Sequence, residues 1–287
     1  MPAAAPRMGR TRFASNAAIV VCACLLSAVP PAEALERRGV RADQVRAEYV
    51  APKNPAHQPV YEMLKENRVL EKLQELLMPL QLPARLVLRT DGCDGASNAW
   101  YEDRLITVCY EYIEDLIRNA PQETTERGIS RQDAIIGPTI EVFLHEAGHA
   151  IFDILRIPIF GREEDAADQF AAYALLQLSH EETPRIIGGI AYMYAREVEQ
   201  QNLQLEDFAD AHGVPAQRLF NLLCMAYGAD PNRLADLVDK GDLPSERAET
   251  CDDEYQQIAY AFEKQIGSHT DETMRATINA RFRASNG

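Results

Sequence analysis

Apolar residues recur at helical spacing along "VYEMLKENRVLEKLQELLMPL", at Val60, Leu64, Leu70, Leu73 and Leu77. That pattern predicts a helix ending near Pro79. "ARLVLRTDG" and "DRLITVCYE" read as strands, with "NAWYE" as a third short strand between them, and together they suggest a small antiparallel meander. From Tyr112 onward helical signals dominate. "SRQDAIIGPTIEVFLHEAGHAIFDIL" opens with Ser130 as a candidate N-cap and Asp133 three residues on; it is apolar almost throughout and stops before Pro158. Pro138 either kinks this helix or marks its true start. "REEDAADQFAAYALLQLS" and "PRIIGGIAYMYAREVEQQN" follow as helices, and so do three segments of the tail, punctuated by Gly and Pro. The fold class is therefore α+β, a small antiparallel sheet followed by a mainly helical body.

The first residues carry a different pattern. Arg7, Arg10 and Arg12 precede the apolar run "AAIVVCACLLSAVP", which is short for a bilayer span, and "AEA" at Ala32–Ala34 offers a cleavage site. Residues 1–34 thus read as a signal peptide; an uncleaved anchor and a lipoprotein modified at Cys24 are the alternatives. Residues 35–59, with "APKNPAHQP", read as a linker or flexible arm. Residues 60–287 form the folded domain, with a helix and sheet in 60–128 and a helical part in 129–287. The expected location is outside the cytoplasm, periplasmic or secreted, with no membrane attachment after cleavage.

Charge and cysteine count sharpen this picture. Loss of residues 1–34 removes three Arg and one Glu, taking the formal charge from −15 to −17. Such a body is repelled by phosphate backbones and anionic lipid, which argues against nucleic-acid binding. Cys93, Cys109, Cys224 and Cys251 remain, an even number suited to an oxidising compartment. Three pairings are open. The local ones, Cys93–Cys109 and Cys224–Cys251, are favoured because each staples one sub-region, and four buried free thiols are the alternative.

The chemistry concentrates in "HEAGH", which fits H-E-x-x-H at His145, Glu146 and His149. Residues four apart share a helix face, so both imidazoles can reach one ion. A catalytic Zn2+ site takes three protein ligands and leaves a position for water. Glu146 is then placed to take a proton from that water. The bland reading is two hydrogen-bonded or solvated histidines. Against it, burying two unpaired imidazoles and a carboxylate in so apolar a helix is unfavourable. Gly148 would also let another helix come close.

That other helix carries Glu163, Glu164, Asp165 and Asp168. Glu164 is assigned as the third ligand and Asp168 as the group orienting a ligand histidine through its other nitrogen. Glu163 and Asp165 are expected to face solvent or the helix N-terminus, and the whole "REED" stretch also reads as a plain acidic first turn.

"HEAGH" followed by "EEDAAD" resembles the gluzincin pattern H-E-x-x-H … E-x-x-A-D of zinc metallopeptidases. The chain is most similar to a bacterial exported zinc metallopeptidase family of unknown function. "SNAWYEDRLITVCYE", "GREEDAADQFA", "AHGVPAQRLFNLLCMAYGADP" and "LPSERAETCDDEY" extend the likeness from about Val60 to near the end. The resemblance implies a zincin-like body, His145, His149 and Glu164 as zinc ligands, and Glu146 as the base.

His57, in the linker, is expected to be solvated, and His180 and His269 sit in polar helix-end contexts. His212, Arg218 or Tyr194 is a candidate donor to the oxyanion, with His212 named first. Trp100 and Tyr101 read as core or sheet-face aromatics; were "NAWYE" an edge strand, its backbone could pair with an extended peptide. The expected function is hydrolysis of a peptide or protein substrate. The alternatives are a zinc-binding pseudo-peptidase and an exported protein-interaction module.

Overall fold

A computed structural model describes residues 44–179, 181–273 and 276. The signal segment and His180 lie outside the described residues. Those described all fall in the unit spanning Val40–Gly287.

Four strands form one sheet: β1 (Val45–Tyr49), β2 (Leu86–Asp91), β3 (Ala99–Glu102) and β4 (Leu105–Cys109), in the order β1-β2-β4-β3. β1 and β4 both run parallel to β2, and only β3 is antiparallel to its neighbour β4. The sheet is thus mixed, a correction to the antiparallel meander. The reason is visible in β4, where Ile106, Thr107, Val108 and Cys109 are all buried. A strand covered on both faces belongs in the middle of a sheet, and β3 is left at the edge. Asp103 and Arg104 join β3 to β4 with φ of 48° and 66°, the left-handed pair that a tight two-residue hairpin requires.

β1 also corrects the linker. The described part of residues 35–59 holds this strand and a short 3-10 turn at Pro55–His57. His57 is buried rather than solvated, its Nδ1 lying 2.8 Å from Glu114 Oε1. Helices α1 (Gln58–Glu66) and α2 (Val69–Leu77) carry the crossover from β1 to β2 and place Val60, Leu64, Leu70, Leu73 and Leu77 in the core.

After α3 (Tyr110–Asn119) the helical body is built on α4 (Arg131–Leu155). Ser130 and Asp133 form a reciprocal capping box at its start, so Arg131, not Pro138, opens the helix, and Pro138 lies inside it. Residues 141–148 of α4 are all buried, as befits a helix surrounded by others. α5 (Glu163–Leu176) and α6 (Glu182–Gln200) pack against it, α7 (Pro215–Ala229) packs on α5 and α6, and the short α8 (Asp236–Asp239) and α9 (Ser245–Ala248) lead to α10 (Cys251–Gln265). Close crossings use glycine. A Cβ on Gly189 of α6 would stand 2.0 Å from the Asp133 carbonyl oxygen.

Disulfides join Cys93 to Cys109 and Cys224 to Cys251, the two local pairings. The first ties the loop after β2 to the end of β4; the second ties α7 to the start of α10. Among the described residues no helix is long and apolar enough to cross a membrane.

Candidate metal centre

His145 and His149 project from one face of α4, one turn apart, because α4 is continuous through Pro138 and Gly148. Arg156 leaves the helix with φ of 55°, and residues 157–162 reverse the chain into α5. Gly148 sets how near α5 can come: a Cβ there would meet Ala167 Cα at 3.1 Å. At this separation the first turn of α5 delivers Glu164 to the histidines.

Three atoms then face one another. His145 Nε2 and His149 Nε2 are 3.2 Å apart, and Glu164 Oε2 lies 3.0 Å from the first and 3.2 Å from the second. On its far side, each imidazole meets a carboxylate. His145 Nδ1–H donates to Asp168 Oδ1 at 2.7 Å, and His149 Nδ1–H donates to Glu163 Oε1 at 2.8 Å. A carboxylate can only accept, so it holds the proton on Nδ1 and turns the lone pair of Nε2 inward. Two such lone pairs and a carboxylate oxygen at these distances repel one another unless a positive charge lies among them. Although burial pulls the His145 imidazole down, with no cation among these atoms Asp168 and Glu164 raise it to about 10, so a proton on Nε2 supplies that positive charge and a bound metal would displace it. The Glu164 carboxyl is held at about 2, first by the His145 hydrogen bond. Two imidazole nitrogens and a carboxylate oxygen are a donor set that a borderline divalent cation accepts, so the residues present fit a metal.

Glu146 is buried beside this group, and burial raises its carboxyl above the ordinary range against the pull of His145 and His149. A carboxylate moved toward neutral pH is suited to taking up and releasing a proton.

The remaining expectations divide. His212, on the stretch before α7, reaches the same centre, its Nε2 lying 2.9 Å from Glu164 Oε2. Asp210 Oδ1 accepts from the His212 backbone N–H at 2.8 Å and lies 3.2 Å from its Nδ1. Arg218 and Tyr194 do not face the histidine Nε2 atoms with their polar groups. Arg218 forks onto Asp168, and the Tyr194 hydroxyl donates to Glu141 Oε1 at 2.9 Å. Glu163, in the first turn of α5 and more than half exposed as expected, also partners His149, while Asp165 pairs with Arg162. Trp100 is more than a third exposed on β3, and the Tyr101 hydroxyl donates to Asp153 Oδ2 at 2.6 Å, pinning that strand to the end of α4. His269 lies in a 3-10 turn after α10, where its carbonyl accepts from Gln81 N–H.

Glu141 and Asp210 went unassigned in the sequence. Glu141 precedes His145 by one helical turn and so shares its face, a signal that was available. Asp210 lies two residues before His212, the spacing of a side chain that caps a turn.

The family described as "Putative metallopeptidase" matches residues 49–265. The chain belongs to this family. The match takes in β3, α4, α5 and α7, hence every residue of the centre described above, so this metallopeptidase-family chain carries its metal-type donor set within the matched region. Among curated proteins and among solved structures, nothing matches it.

Proposed function

We propose that the protein is an exported zinc peptidase of gluzincin type, with His145, His149 and Glu164 as ligands and Glu146 as general base. One observation carries the reading: two imidazoles locked by carboxylates at Nδ1 turn their Nε2 atoms toward a third acidic oxygen. Bound there, zinc would polarise a substrate carbonyl and acidify a water molecule. Glu146 takes the proton of the attacking water and returns it to the leaving amine. His212, backed by Asp210, donates from Nε2 to the developing oxyanion. β3 lies at the edge of the sheet, where an extended peptide can add as a further strand beside Trp100. Export is supported by the two disulfides, which persist in oxidising compartments.

The proximity of His212 Nε2 to Glu164 Oε2 favours a second reading, in which His212 completes four protein ligands and the site binds zinc without cutting peptides. Two variants separate the readings. Under the peptidase reading Glu146→Gln retains zinc and loses hydrolysis of a peptide library, and His212→Ala retains zinc and turns over slowly. Under the second reading His212→Ala loses zinc. A Glu146→Gln protein that cleaves as fast as the parent overturns the peptidase reading.

A further inference from the structure

On the side of His145 away from Glu164, four helices meet around one guanidinium. Asp168 Oδ1 accepts from both His145 Nδ1–H, at 2.7 Å, and Arg218 Nη2–H, at 2.6 Å. Asp168 Oδ2 accepts from Arg218 Nε–H at 2.8 Å. Both carboxylate oxygens are thus engaged by one planar fork, and the carboxylate cannot turn without breaking a bond.

Arg218 is itself held. Its guanidinium stacks 4.9 Å from the centre of the Tyr194 ring, and its Nη2 lies 3.6 Å from Glu141 Oε1. The Tyr194 hydroxyl closes the circuit onto Glu141. The ligand-type atoms of Glu141, His145 and Asp168 lie within 4.8 Å of one another, a second acidic set that would draw a cation to the wrong side of His145. The guanidinium supplies that positive charge in a form that cannot leave or exchange.

We infer that Arg218 is a positioning residue for the centre: through Asp168 it fixes the ring orientation and Nδ1–H tautomer of His145, so that Nε2 is always the atom offered to zinc. The inference rests on the proposed metal site. A purely structural clamp would need only charge and packing. A positioning fork needs two donors in one plane, which lysine cannot provide.

Zinc affinity, read by competition with a chromogenic chelator, tests this in wild type, Arg218→Lys, Asp168→Asn and their double variant. Arg218→Met with Glu141→Gln removes one buried acid together with the guanidinium and, should Arg218→Lys not fold, is expected to show the same loss of affinity. Loss of a group orienting a metal ligand lowers affinity by about 10–100-fold. Arg218→Lys and Asp168→Asn should each fall in that range, and the double variant should bind no worse than Asp168→Asn alone. A second readout needs no metal: the slowly exchanging His145 Nδ1–H proton resonance of the metal-free wild type should be lost in Arg218→Lys. Wild-type affinity in Arg218→Lys, losses that multiply in the double variant, or an unchanged resonance would overturn the inference. If wild type takes up no zinc, the metal reading fails while the resonance still decides the role of Arg218.

Discussion

Gly148 and Ala167 touch where α4 and α5 cross: a Cβ on Gly148 would stand 3.1 Å from Ala167 Cα and 3.3 Å from its Cβ. Gly148 immediately precedes His149, and Ala167 lies three residues after Glu164, so this contact governs how near the two helices bring those side chains. Gly148→Ala should push α5 outward by a few tenths of an ångström, destabilise the fold by about 1–3 kcal/mol and weaken zinc binding. Urea unfolding and chelator competition measure the two effects. A variant that loses stability but keeps full affinity would show that the crossing does not set the ligand distances.

Gly189 should be less forgiving. A Cβ there meets the Asp133 carbonyl oxygen at 2.0 Å and its carbon at 2.6 Å, both backbone atoms of α4. No side chain can move aside to relieve the clash. Gly189→Ala is expected to destabilise the protein by about 3 kcal/mol or more, beyond Gly148→Ala in the same denaturation series. The reverse order would contradict the packing of α6 on α4.

The two carboxylates behind the histidines should differ in weight. Asp168 is mostly buried, and its carboxyl, which burial alone would raise, is held at about 2 by His145 and Arg218. Glu163 is more than half exposed and has water as a competing partner for His149. Asp168→Asn should therefore lower zinc affinity more than Glu163→Gln, by about tenfold within the range for such groups. Equal losses would mean that burial does not set the strength of the orienting bond.

A pH effect is expected well away from the centre. Glu111 accepts from the backbone N–H groups of Cys93 and Gly95, fixing the loop that the Cys93–Cys109 bridge also holds. Burial pushes its carboxyl up, but Gly95, its own N–H, Cys93 and His57 together bring it below the ordinary 4.5. A carboxyl lowered by folding stabilises above its unfolded pKa, and that contribution is lost as pH falls through the folded value. The stability gap between wild type and Glu111→Gln should be full at pH 7 and narrow below about pH 4.5. Urea midpoints across that range check it, and a gap independent of pH would contradict it.

The helical half was largely legible because its signals are local. The capping pair Ser130 and Asp133, the four-residue spacing of His145 and His149, and the acidic opening of α5 all lie within a few residues of what they control. β1 was not. "VRAEY" has little intrinsic strand signal and becomes a strand by pairing with Leu86–Thr90, some forty residues on. His57 is buried by Glu111 and Glu114, and Arg218 acquires its partner Asp168 across fifty residues. In each case the environment comes from packing that no local pattern encodes. The central position of β4 could have been inferred from "LITVC", an apolar run interrupted only by the β-branched Thr107.

Elemental analysis of protein purified without added metal tests the central claim most directly, comparing wild type, Glu146→Gln and a His145→Ala, Glu164→Ala double variant. The account expects about one equivalent of a divalent transition metal in the first two, restored by zinc after chelation, and less than about a tenth in the third. Wild type holding under a tenth of an equivalent that zinc does not restore, or the double variant holding a full one, would contradict it.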